Sequence, residues 1–159
     1  MLVGTFTFYN EDDLMVLQLE TLLAICDAVV MLSDNATEKC LQIAEAYEDN
    51  EKVYLLRNIK ADNFNERDEV GDRQKLLDKA RSLGATQCLH TDVDEIFSIK
   101  SIPILTDFLK TCDGDEIISA HRYDFWDNAH TYRLDRAGDT AGEVLLMAQP
   151  LRSTRISFL

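Results

Sequence analysis

Cys88-Leu89-His90-Thr91-Asp92-Val93-Asp94-Glu95-Ile96-Phe97 reads as a short buried strand that runs out into three carboxylates interrupted by one valine. An apolar run that ends abruptly in acid marks a sheet delivering charge to the edge of a cleft. Side chains alternate faces along an extended chain, so Asp92 and Asp94 are expected on the same side. Two carboxylates converging on one point repel each other unless a cation lies between them. Oxygen ligands of this kind suit Mg²⁺ or Mn²⁺, held by few protein oxygens and completed by water and a ligand's phosphate. The same residues also suit a solvated acidic turn that caps the next helix. An EF-hand calcium loop is excluded, because its ligand spacing and closing glutamate are absent.

The chain before this stretch alternates strand and helix. Leu2 to Phe8 is apolar and β-branched and predicts a first strand. It breaks at Tyr9-Asn10-Glu11, where Asn10 suits an N-cap and Glu11, Asp12 and Asp13 fill a first helical turn. Leu14, Leu17 and Leu22 then mark a helix to about Asp27. Ala28 to Leu32 predicts a strand buried on both faces, ending at Ser33-Asp34-Asn35. Thr37 starts a helix with Leu41, Ile43, Ala44 and Tyr47 on its buried side, and Lys52 to Leu56 is a third strand. Gly71 to Leu83 predicts a helix with Leu76, Leu77 and Ala80 inward and Gly84 as its stop. Ile102-Pro103-Ile104 opens another helix with proline in its first turn. Glu116 to Ala120 reads as a strand that pairs with a later one around Thr131 to Leu134. This order predicts an α/β domain with a mostly parallel sheet and helices on both faces, becoming more antiparallel in the last third.

Length and composition bound the function. At 159 residues, with 46% hydrophobic and 28% charged residues, the chain reads as one globular domain. A net charge of −13 argues against a nucleic-acid groove, which needs a basic face. It leaves room for a small phosphorylated ligand whose charge is met by a metal or local arginines. The cysteines (Cys26, Cys40, Cys88, Cys112) are scattered, with no Cys-x-x-Cys pair, and predict buried thiols in a reducing compartment. With no signal peptide and no membrane-length apolar run, a cytoplasmic location is expected. The apolar tail from Leu145-Leu146 to Phe158-Leu159 suggests truncation, docking onto the sheet, or a partner surface that would make a homo-oligomer.

Ligands of a parallel α/β sheet sit outside the carboxyl ends of its strands. Three predicted strands end in polar turns: Tyr9-Asn10-Glu11, Ser33-Asp34-Asn35 and Asp92 to Glu95. The glycine-rich phosphate loops of dinucleotide or Walker-type sites are missing. A ligand here is held by side chains and a metal more than by a backbone cradle.

With these motifs the chain resembles the GT-A fold glycosyltransferases, particularly those of family 2, over roughly Leu2 to Phe97 and more weakly to Leu134. Thr7-Phe8-Tyr9-Asn10-Glu11 looks like the opening nucleotide-binding turn, and Ser33-Asp34-Asn35-Ala36-Thr37 like the second. Gly71-Asp72-Arg73-Gln74-Lys75 looks like the helix start that places a basic residue near base or diphosphate. Thr91-Asp92-Val93-Asp94-Glu95 looks like the Asp-x-Asp motif. The resemblance implies donor-nucleotide contacts from Phe8, Tyr9, Glu11, Asp34, Arg73 and Asp92. It also implies an Mn²⁺ or Mg²⁺ site at Asp92 and Asp94, with Asp94 the more direct ligand. Arg57 and Arg67 are further candidates for the diphosphate, with solvated surface charge as the other reading.

On this resemblance residues 1–159 form a single GT-A-like domain, with 1–97 the nucleotide-sugar part and 98–159 a partial acceptor-side part. The implied activity moves a sugar from a nucleoside-diphosphate donor, UDP by default, to an acceptor that is glycan, lipid or protein. The chain is short for such a catalytic domain. Asp124, Asp127, Asp135, Asp139 and Glu143 are available as a base, but none sits in a matching motif. His121, Tyr123 and Trp126 are candidates to line an acceptor pocket. The alternatives are a non-catalytic or truncated donor-binding domain and, lower, a sugar-phosphate nucleotidyltransferase. The latter would want a glycine-rich, arginine-bearing loop after the first strand.

Overall fold

The structure, a computed structural model, describes residues 1–58 and 68–111, together with the backbone of four strands between Ile118 and Leu146. The order is β1 (Leu2–Phe8), α1 (Asp12–Ile25), β2 (Ala28–Ser33), α2 (Glu38–Glu45), β3 (Val53–Arg57), α3 (Glu69–Ser82), β4 (Gln87–His90) and α4 (Ser101–Thr111). The strands β1 to β4 form one parallel sheet in the order β3-β2-β1-β4. The chain steps outward from β1 to β2 to β3, then returns past β1 to lay down β4. Parallel crossovers are right-handed, so connections running in opposite directions must lie on opposite faces. Accordingly α1 and α2 pack on one face and α3 on the other, giving the two-sided parallel sheet expected from the sequence.

The α1 face holds the larger core. Phe6 and Phe8 of β1, Met31 of β2 and Leu89 of β4 meet Met15, Leu19 and Leu22 of α1, Ala44 of α2 and Leu109 of α4. A Cβ on Gly4 would lie 3.1 Å from Cys26 Sγ and 3.3 Å from Leu22 Cδ2, so α1 sits against β1 as closely as a bare backbone allows. The opposite face is built from smaller groups, Val3, Ala28, Val30 and Leu32 against Leu76 and Ala80 of α3. Continuous apolar strands such as β2, buried along its whole length, follow from having helices on both sides.

Details depart from the sequence expectations for local reasons. Glu11, not Asn10, occupies the N-cap position of α1 and gives no side-chain cap to the helix. Its carboxylate instead turns back to accept from the backbone N–H of Tyr9 (2.8 Å) and Asn10 (3.0 Å). Leu17 is half exposed, and the inward ridge of α1 runs through Met15, Gln18, Leu19, Thr21, Leu22 and Ile25. Thr37 caps α2 as expected, accepting from the N–H of Cys40. Of its predicted inward residues Ala44 is buried with Cys40, while Leu41, Ile43 and Tyr47 are partly buried. The helix α3 is capped by Asp68, buries Leu76 and Ala80, and is followed by Gly84 at φ +84°.

In the last third, β5 (Ile118–His121) pairs antiparallel with β8 (Glu143–Leu146), not with a strand near Thr131 to Leu134. The segment β7 (Asn128–Tyr132) folds back on β6 (Phe125–Trp126) as its near neighbour. Two short strands one residue apart satisfy each other's backbone groups locally, which leaves β5 to a more distant partner. Among the described residues Cys26, Cys40 and Cys88 are buried and reduced. Cys112 and the apolar tail beyond Leu146 lie outside them.

Candidate functional site

The sheet reverses its strand order between β1 and β4, and that switch point is where an open parallel sheet leaves a crevice at its carboxyl end. A cleft of about 320 Å³ occupies it. The β1 end supplies Thr7 and Glu11, and the turn after β2 supplies Asp34. The first turns of α3 supply Glu69, Asp72 and Arg73, and the turn after β4 supplies Asp92, Val93 and Asp94. Glu11, Asp34, Glu69, Asp72, Asp92 and Asp94 thus surround one guanidinium among the described residues. The three polar strand ends picked out in the sequence converge on one place.

Backbone bonds fix these turns. Asp34 N–H donates to Phe8 O (3.0 Å) and Thr37 N–H to Tyr9 O (2.8 Å), so the turns after β1 and β2 are tied beyond the strands themselves. Asn35 takes φ +53°, a left-handed position that asparagine tolerates better than most side chains. An ion pair between Lys39 and Asp12 joins the starts of α2 and α1.

The acidic turn itself differs from the extended chain expected. The strand β4 ends at His90, and Asp92 to Glu95 fold into a turn in which Glu95 N–H donates to Asp92 O (3.1 Å). Glu95 Oε2 accepts from Asp92 N–H (3.0 Å). Asp92 and Asp94 nevertheless reach one cleft, because Val93 is 5% exposed and anchored in the α1-face core. The inward valine, not the pleat of a strand, turns both neighbouring carboxylates outward.

The α3 end of the cleft is braced from below. Asp72, with its side chain 5% exposed, accepts from Asn58 Nδ2 (2.7 Å) and from Lys75 Nζ (3.1 Å). Lys75 also donates to Asn58 Oδ1 (2.6 Å), tying the helix start to the end of β3. Arg73 follows Asp72 into the cleft. Arg57 lies elsewhere, paired with Glu45 (3.1 Å) and Glu48 (3.0 Å) of the α2 region, because it ends an edge strand facing that acidic surface. Arg67 is outside the described residues.

Two predicted nucleotide residues stand apart from the lining. Phe8 is 2% exposed and packs with Phe6 in the core, ring centroids 6.3 Å apart, since its strand position points to α1. Tyr9 is half-buried in the adjoining turn. The sequence alone singles out neither Glu69 nor His90, and Thr7 only as the first residue of the opening turn. The His90 ring Nδ1 lies 3.0 Å from Thr5 Oγ1, directly across the β1–β4 pair. Burial, reinforced by the Arg73 guanidinium and opposed by Asp92, pushes its pKa down to about 4, so the ring is neutral at physiological pH. Only the strand register brings Thr5 and His90 together, and one sequence does not display a register.

Asp92 and Asp94 fit a hard divalent cation in donor type and number. A magnesium-like ion takes one or two protein carboxylates and completes its shell with water and phosphate oxygens. Among the described residues no group of three or more His, Cys, Asp or Glu side chains is placed to hold a metal ion by itself, so water and ligand oxygens would have to complete any shell. No helix among them is long and apolar enough to cross a membrane.

No family profile and no curated relative matches the chain. Among solved structures it is similar to S. aureus TarS 1–349, with TM-score 0.53 and 20% identity over 69% of this chain and 32% of that one. The same TarS fragment in complex with UDP gives TM-score 0.50 and 19% identity, over 69% and 32% of the two chains. A longer TarS structure gives the same TM-score and identity, over 69% and 19%. At this identity the likeness shows the fold alone, the α/β arrangement of a parallel sheet with helices on both faces that the sequence predicts. The chain spans about a third of the length of the TarS 1–349 structures.

Proposed function

We propose that the cleft binds a nucleoside-diphosphate sugar together with Mn²⁺ or Mg²⁺, and that the chain belongs to a glycosyltransferase acting on that donor. One observation carries the reading: among the described residues, carboxylates crowd a single guanidinium at the switch point between β1 and β4. A diphosphate entering such a site alone would meet net negative charge from every side. With a divalent cation it becomes attractive, and Asp92 and Asp94 are the carboxylates that hold the ion. The UDP held by the structurally similar TarS fragment supports uridine as the base.

In this arrangement Arg73 donates charge-assisted hydrogen bonds to the diphosphate oxygens. Asp34, on the turn after β2, accepts from the base or ribose. Glu11 shapes the neighbouring turn through its bonds to the Tyr9 and Asn10 amides and lines the cleft. The bound cation supplies Lewis-acid stabilisation of the charge that develops on the departing diphosphate. The acceptor is a glycan, lipid or protein, and the cleft itself assigns no catalytic base.

Calorimetric titration of UDP, GDP and UDP-glucose, with Mn²⁺ and then with EDTA, tests the reading. UDP is expected to bind only with metal, and Asp94→Ala to lose that metal-dependent binding. Tight binding in EDTA, or binding unchanged in Asp94→Ala, rejects the role given to Asp94. Hydrolysis or transfer of the donor sugar by the 159-residue chain separates an enzyme from a donor-binding module.

A further inference from the structure

Two polar residues are buried on α1: Thr21, whose hydroxyl donates back to Leu17 O (2.7 Å) in its own helix, and Gln18, whose side chain is fully buried beside the apolar Met15, Leu19 and Leu22. The Gln18 amide Nε2 donates to Thr91 Oγ1 (2.6 Å) and to the backbone O of Asp92 (3.1 Å). Its Oε1 is buried without a hydrogen-bond partner among the described residues. Rotating the amide would not cure this, because it would set that oxygen against the Asp92 carbonyl, which only accepts. A buried amide with one end unsatisfied is costlier than an aliphatic side chain of similar size. Local rules broken inside a core point to function more often than to stability.

The bonds of Gln18 show what is gained. Asp92 O accepts from both Gln18 and Glu95 N–H, while Asp92 N–H donates to the Glu95 carboxylate. Thr91, 1% exposed, is held by Gln18 through its hydroxyl and by Thr5 O through its N–H. Every backbone group of Asp92 is therefore occupied, and its carboxylate is left to the cleft. From these contacts we infer that Gln18 is a positioning residue: it clamps the Thr91–Glu95 turn so that Asp92 and Asp94 present their carboxylates together to the divalent cation. This rests on reading the cleft as a metal-diphosphate site.

The test is Mn²⁺ affinity in the presence of UDP, followed by electron paramagnetic resonance, alongside thermal unfolding. Gln18→Leu is expected to weaken Mn²⁺ binding roughly tenfold, the scale on which outer-sphere partners act, with a melting temperature near wild type, because removing the unsatisfied Gln18 oxygen offsets the loss of the Thr91 hydroxyl's partner. Thr91→Val removes the hydroxyl without disturbing α1 and should weaken Mn²⁺ in the same direction, whereas Thr91→Ser should retain wild-type affinity. The double variant Gln18→Leu/Thr91→Val should lose less than the two single losses combined. Wild-type Mn²⁺ affinity in both Gln18→Leu and Thr91→Val would overturn the clamp and leave the cleft reading intact. A wild-type protein that binds no Mn²⁺ with UDP would overturn the cleft reading, and the clamp with it.

Discussion

On the face covered by α1, α2 and α4 the sheet buries long apolar side chains, among them Phe6, Phe8, Met15, Leu19, Met31 and Leu109. On the α3 face it buries mostly small ones, Val3, Ala28, Val30 and Ala80 with Leu32 and Leu76, and alongside them the buried Thr5 and Cys88 and the partly buried His90. Both faces belong to the same four strands, so the difference lies in which residues alternate outward and which helix covers them. The α1 face carries most of the apolar burial. The α3 face gives up some of that burial and brings charge and hydrogen-bonding groups to the carboxyl end of β4, where Asp72 and Arg73 meet Asp92. Anchoring is concentrated on one side of the sheet and chemistry on the other, with Gln18 the point where the anchoring side reaches across.

The largest expected effect separates the two faces by stability. Leu19 of α1 and Leu76 of α3 are both fully buried. Truncating a buried leucine leaves a cavity whose cost depends on how far the surroundings relax. Leu19→Ala sits among large side chains that cannot close the gap, and should cost about 4 kcal/mol. Leu76→Ala sits among small groups under a single helix and should cost nearer about 3 kcal/mol. Urea unfolding of both variants checks the ranking, and a larger loss for Leu76→Ala would break the contrast drawn between the faces.

The sequence disclosed most of this frame, and its failures have identifiable causes. Continuous apolar runs and polar strand ends were enough for the parallel sheet and for three turns that meet at one cleft. The cap of α1 was misplaced because Asn10 and Glu11 are both plausible there, and only the backbone amides of Tyr9 and Asn10 decide which carboxylate or amide is used. Phe8 resembled a nucleotide-facing aromatic because it precedes Tyr9, yet strand alternation sends it to the core and Thr7 to the cleft. Asp92 and Asp94 came out on one side for a reason other than strand pleat, namely the burial of Val93. Gln18 was invisible, since a glutamine within an apolar helix pattern is read as a surface residue until its partners across 73 and 74 positions are known.

A second difference between the faces is sensitivity to acid. The His90 imidazole, beside Thr5, Arg73 and Asp92, is held by burial near a pKa of about 4. Its ordinary value is about 6.5. Between these values the unfolded chain takes up a proton that the folded chain refuses. Stability from the neutral ring is therefore complete above about pH 6.5 and falls as pH drops toward 4, by on the order of 3 kcal/mol in all. Urea midpoints measured from pH 7.5 down to 4.5 should fall more steeply in wild type than in His90→Gln. Parallel curves would show that the α3 face carries no such titration.

The smallest effect concerns the start of α3, which sets where Arg73 stands. Asp68 caps this helix by accepting from Gly71 N–H at 2.9 Å. Losing the cap in Asp68→Ala should cost about 1 kcal/mol. A Cβ on Gly71 would come 2.2 Å from Asp68 Oδ2, so Gly71→Ala displaces the capping carboxylate. Alanine also favours the helix over glycine by about 1 kcal/mol, and the two effects nearly cancel in stability. Metal-dependent UDP affinity distinguishes what stability does not. If the cap aims Arg73, Gly71→Ala should weaken UDP a few-fold while its urea midpoint stays near wild type. If Arg73 is held instead by the Asn58–Asp72–Lys75 network beneath it, both quantities should stay unchanged. The precision of the charged face would then come from buried polar contacts, as it does at Gln18 on the other side.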